Sequence, residues 1–92
     1  MRHFVLSLAL TALMAGSASA ACYADYKAKQ DNPLRLHYGV AKVSACAPGA
    51  ARAELQARLA QRGWTLLQVM GVFGPEGLDQ RKDRAGQFFL RF

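Results

Sequence analysis

The sequence predicts an α+β domain, a three- to four-stranded, mainly antiparallel sheet with one helix packed on a face, preceded by a cleaved signal peptide. Three observations predict it. Leu34 to Val40 alternates between apolar and polar residues. Pro48 to Arg62 carries a helical stripe between a proline and Gly63. Two further apolar runs, Trp64 to Phe73 and Gln87 to Phe92, follow the helix.

The leader comes first. Met1-Arg2-His3 is a short basic start, Phe4 to Met14 is apolar, and the segment ends in Ala18-Ser19-Ala20. A charged start, an apolar run and a small-x-small site follow in the order of a secretory signal peptide. A spanning helix needs roughly 20 apolar residues, and this run breaks earlier, at Gly16 and Ser17. The expected division is therefore a signal peptide at 1–20 and a single small domain at 21–92, with no transmembrane segment after processing. The expected location is periplasmic or secreted.

Export bears on the cysteines. Cys22 and Cys46 are the only two. In an oxidising compartment an even count reads as disulfides. The one possible pairing closes a loop of about 25 residues, which the chain-entropy model values at roughly 3 kcal/mol. Below about 80 residues a core alone seldom supplies enough stability. Cys22 also stands near the cleavage point, so an envelope lipoprotein anchored through Cys22 stays open as an alternative.

Cys22 to Lys29 reads as either a short strand or a helical turn. Gln30-Asp31-Asn32-Pro33 is a turn signal. In the next run Leu34, Leu36, Tyr38 and Val40 are expected on the buried face, with Arg35 and His37 toward solvent. The phase then slips to Ala41 and Val43, and Gly39 suggests a bulge there. The helix opens near Pro48 and closes at Gly63, with Ala51, Leu55 and Leu59 stacked on one face. Trp64 to Phe73 has apolar residues in both phases, as a central strand covered twice would. One helix covers only one of those faces. The other must meet the N-terminal segment, the chain after Gly74 or a second copy. Gly74 to Gly77 is a turn, Leu78 to Arg84 a short helix or ordered loop, and Phe88, Leu90 and Phe92 share one face of a closing strand.

No catalytic set emerges, so the expectation is that the chain is not an enzyme. Ser44 and Thr65 are the only hydroxyls of their kind after residue 20, and His37 is the only imidazole there. Nucleophilic catalysis needs a nucleophile, a base and an orienter together. Two distant cysteines and one histidine lack zinc spacing, so neither a metal nor a cofactor is expected. Asp79 and Asp83 stand at helical spacing among Arg81, Lys82 and Arg84, which reads as a solvated ion-pair face. The glycine-bounded loop 74–86 is the remaining candidate surface, with Arg81, Lys82 and Arg84 placed to grip an anionic ligand.

The formal net charge is +6. An exported basic chain seldom meets nucleic acid, so none is expected. An anionic envelope component or an acidic protein is the matching contact. The leading expectation is a small exported, non-enzymatic module, stapled by Cys22–Cys46, that binds an unknown protein partner or forms a homodimer.

Leu55-Gln-Ala-Arg-Leu59 followed by Arg62-Gly63-Trp64-Thr-Leu66 resembles a widespread uncharacterised bacterial domain, in which a helix ends in Gly-Trp-x-Leu, a strand follows and an aromatic strand closes the chain. Cys22-Tyr-Ala and Gly71-Val-Phe-Gly-Pro-Glu-Gly77 are similar to small exported proteobacterial proteins. These resemblances imply a fold and export, and no activity.

Overall fold

The protein is described by a computed structural model covering residues 21–92. The expected signal peptide lies outside the described residues. The chain runs β1 (Cys22–Gln30), β2 (Arg35–Val43), α1 (Pro48–Ala60), β3 (Thr65–Phe73) and α2 (Asp79–Ala85). Short 3-10 turns at Pro75–Gly77 and Gly86–Phe88 flank α2. The sheet has three strands in the order β2-β1-β3, and both pairings are antiparallel. This is the predicted α+β class.

The ambiguous N-terminal segment is the central strand. Ala24, Tyr26 and Ala28 point to one face and are buried. Asp25 and Lys27 point to the other. Alanine carries little hydrophobic signal, so this alternation is faint in the sequence. Trp64 to Phe73, expected in the centre, supplies β3 at an edge. Its doubled apolar pattern comes from bulges. Register shifts opposite Asp25/Tyr26 and Lys27/Ala28 leave Met70 and Leu67 as extra residues in β3, so Leu66, Val69 and Val72 all reach the first face opposite Ala28, Tyr26 and Ala24.

β2 corrects the expected phase. His37, Gly39, Ala41 and Val43 lie opposite Ala28, Tyr26, Ala24 and Cys22 on the first face. Leu36, Tyr38 and Val40 lie on the second. No bulge occurs at Gly39, since β1 and β2 pair without a shift from Gln30↔Arg35 to Cys22↔Val43. Gly39 serves the Tyr26 ring instead. A Cβ at position 39 would stand 2.5 Å from Tyr26 Oη. A fully buried tyrosine thus lies flat across the backbone of its neighbour strand, and only glycine leaves it the room.

Helix α1 covers the first face with Ala51, Leu55 and Leu59, each fully buried. Its stop matches the expectation from Gly63. Gly63 has φ +81°, its amide donates to Ala60 O, and the Trp64 amide donates to Leu59 O. Together these bonds form a Schellman cap. Glu54 accepts hydrogen bonds from the Ser44 amide and hydroxyl and from the Ala45 amide. These bonds hold its carboxyl below the usual carboxylate range, led by the Ser44 amide. Arg58 donates to Lys42 O and Phe92 O, so the helix also fastens the end of β2 and the chain terminus.

The predicted closing strand is not formed. Gly86–Phe88 is a 3-10 turn, and Phe89 makes only a parallel bridge to Val40. Gly86 at φ +55° and Leu90 at φ +57° turn the backbone out of an extended path. The aromatic residues therefore serve as packing groups. Phe88 and Phe92 gather around His37.

Candidate functional site

The two faces of the sheet hold three arrangements of polar chemistry. At one end Cys22 and Cys46 form the expected disulfide, which closes the β1 start onto the loop before α1.

On the first face, near the hairpin, His37 is buried rather than solvent-facing, at 8% exposure. Its ring stacks on Phe88 with centroids 3.8 Å apart and meets Trp64 edge-on at 4.3 Å. Tyr26 Oη and His37 Nε2 share a hydrogen bond of 2.9 Å, while Nδ1 is buried without a partner. Burial, with help from the Arg91 charge, lowers the His37 pKa to about 4. Burial pushes Tyr26 up to about 12. Both groups are thus neutral at ordinary pH and serve the core. Ser44 Oγ is bonded to Glu54, so Ser44 and His37 do not form a pair.

On the second face, Asp25 in β1 is 4% exposed. Its Oδ2 accepts from Tyr38 Oη at 2.9 Å and from Arg81 Nε at 3.1 Å. Oδ1 is buried without a partner. A buried carboxylate costs several kcal/mol of desolvation unless it is paired, and Arg81 supplies the pair. Arg81 also donates to Gly77 O and lies 3.9 Å over the Phe73 ring. Arg84 lies 4.5 Å over the Tyr38 ring. Burial raises the Tyr38 pKa. The guanidiniums therefore clasp α2 to the sheet, with Ala85 and Val40 buried beneath.

This placement bears directly on the three basic residues expected to grip an anion. Arg81 is committed to Asp25. Arg84 is exposed beyond its contact with Tyr38, and Lys82 is exposed. The structure brings Arg81 and Arg84 together with Asp25 and Gln80 around a polar recess of about 150 Å³. Lys82 does not line it.

The remaining half of the second face was not found from the sequence. Helix α2 reaches only part of the sheet. Beyond it Leu36 is 66% exposed, Leu67 47% and Met70 45%. Lys27, Leu36, Tyr38 and Leu67 line one hollow; Lys27, Tyr38, Met70 and Arg84 line another beside it. Sheet faces with large apolar side chains are ordinarily covered. The signal in the sequence was the doubled apolar phase of Trp64 to Phe73. That pattern predicts burial on both sides, whereas bulging turns Leu67 and Met70 outward.

Among the described residues no group of three or more His, Cys, Asp or Glu side chains is placed to hold a metal ion. No helix there is long and apolar enough to cross a membrane. Comparison with protein-family models, with curated proteins and with solved structures found no match for this chain.

Proposed function

We propose that the chain is a small exported, non-enzymatic binding module that presents the open half of its second sheet face to a partner protein. One observation carries this reading: Leu36, Leu67 and Met70 stand exposed around Lys27 on a face whose other half is already covered. Large apolar groups clustered on a rigid sheet mark an interaction surface more often than they mark ordinary solvent contact. The scaffold supports such a role. The Cys22–Cys46 bond and the α1 core hold the sheet. The leader and the disulfide both fit an oxidising compartment.

The test is site-specific photocrosslinking in the native host, with the crosslinker at position 67 or at position 56. Gln56 lies on the exposed outer side of α1 and serves as the control. A discrete adduct from position 67 that is missing from position 56 supports the reading. Equal labelling from both positions sinks it, and an adduct of twice the chain's mass identifies the partner as a second copy. Intact mass with and without reductant tests processing alongside. A chain starting at Ala21 and two hydrogens lighter before reduction supports the disulfide-bonded exported form. A chain starting at Cys22 with added lipid mass replaces it with the lipoprotein, whose anchor needs the thiol that the structure places in the disulfide.

A further inference from the structure

The following inference rests on the docking face proposed above and concerns what occupies it. Two hollows of about 320 Å³ each lie side by side there and share Lys27 and Tyr38. Leu36 and Leu67 wall the first; Met70 and Arg84 wall the second. Leu67 and Met70, the two bulged residues of β3, lie opposite the Lys27/Ala28 and Asp25/Tyr26 steps of β1, two residues apart along that strand, which separates them by about 7 Å at the rise of a strand. Two side chains about 6 Å apart on one helix stand at i and i+4, since each residue advances about 1.5 Å. The apolar stem of Lys27 lines both hollows beside these anchors.

The covered half of the face shows the kind of element it accepts. There a short helix, α2, lies against β2 and is pinned by charge pairing between Arg81 and Asp25. On the open half the fixed charges are of one sign. Lys27 and Arg84 line the hollows, and Lys29 follows Lys27 on the same face of β1. Asp31, beside them at the hairpin, is already paired with Lys29 at 3.3 Å.

These charges separate the possible occupants. A second copy would set one Lys27 against another in a chain of net charge +6, and like charges juxtaposed across an interface are costly. A bilayer surface is flat on this scale and would leave both hollows unfilled. We infer that the open half binds an amphipathic helix of another protein, with apolar anchors at i and i+4, flanked by Asp or Glu. This is helix-in-groove recognition, with acidic flanks answering Lys27, Lys29 and Arg84.

The test uses two model peptides of about eighteen residues, long enough to hold a helix once bound. Both carry leucine at the anchor positions; one is flanked by Glu and the other by Lys. Each is titrated into the isotope-labelled, oxidised protein, as are vesicles of phosphatidylglycerol in phosphatidylcholine. The Glu-flanked peptide is expected to shift the amides of Lys27, Leu36, Leu67 and Met70. Its affinity should fall about tenfold as salt rises through the physiological range, because the flanking charges are screened. Lys27→Glu should weaken it by at least about tenfold and improve the Lys-flanked peptide, and Leu67→Lys should weaken both. Equal binding of the two peptides, or no effect of Lys27→Glu, overturns the inference. If vesicles or a second copy shift those amides while the Glu-flanked peptide does not, the acidic helix is wrong and the docking face stands. If nothing shifts them, both readings fall.

Discussion

The two faces of this sheet solve the burial problem in opposite ways. The first face is closed by apolar fit. Small residues on β1 and β2, Ala24, Ala28, Gly39 and Ala41, leave room for Tyr26 beneath α1, and Leu55 and Leu59 fill the rest. The second face is closed on one half only, and by polar means. The buried Asp25 carboxylate pairs with the half-buried Arg81, and Arg84 rests on an aromatic ring. Apolar fit supplies stability roughly in proportion to area. A buried ion pair supplies little net stability but is costly to break. The first face therefore holds the molecule together. The second positions α2 and leaves a neighbouring strip of sheet available.

Breaking the first face should have the largest effect. Leu55→Ala removes a fully buried side chain and should cost about 2–5 kcal/mol by the loss of transfer energy and the cavity left behind. Chemical denaturation checks it, and a loss below about 1 kcal/mol would contradict the packing described.

The margin of the same face should respond to acid. His37 is held neutral, with its pKa lowered to about 4 from the ordinary 6.5. The unfolded chain therefore binds the proton more readily. The stability tied to this group is fully present above about pH 6.5 and is lost as pH falls toward 4, a change on the order of 3 kcal/mol. Glu54, with its lowered pKa, adds a loss in the same direction at the acid end. His37→Phe should be flat between pH 6.5 and 5, relative to its own value at pH 7. A wild-type profile equally flat in that window would refute the buried, neutral histidine.

The second face should break locally. Arg81→Met strands the Asp25 carboxylate, and the expected cost is about 2 kcal/mol, below the fully buried case because Arg81 is partly exposed. Hydrogen exchange should accelerate from Asp79 to Phe89 and remain slow in β1 and at Leu55. Uniform acceleration would show that the two faces are one cooperative unit after all.

The smallest effect is expected on the open strip. Leu67→Lys and Met70→Lys should each change stability by less than about 0.5 kcal/mol, since both side chains are already exposed. Thermal unfolding checks it. A large loss at either position would place that residue in the core and remove the basis for a docking surface.

Much of the first face was legible in the sequence. Pro48, Gly63 and the Ala51-Leu55-Leu59 stripe mark a helix because a stop and a buried stripe are local properties. The pairing of Cys22 with Cys46 follows from there being only two cysteines. The candidate surface was far less legible. The alternation from Leu34 to Val40 has two phases, and periodicity shows that a strand is two-faced without showing which face the protein covers. The alternation predicts Leu36 inside, and it stands outside; it predicts His37 outside, and that ring is buried among Trp64, Phe88 and Phe92. An aromatic cluster can take in a neutral imidazole, and that choice depends on side chains up to 55 residues away, as Phe92 is from His37.

By itself the sequence determined the local elements: the helix and its stop, the hairpin turn at Asp31 to Pro33, the disulfide and the basic balance. These depend on propensity, capping and composition, which act over a few residues. Tertiary structure alone decided that β1 lies in the centre and that the phase of β2 follows Tyr26. It also decided that Arg81 is needed by Asp25, and that Leu36, Leu67 and Met70 surround one exposed lysine. Each of these depends on which strand pairs with which, and strand pairing joins residues far apart in the chain through contacts that no short window contains.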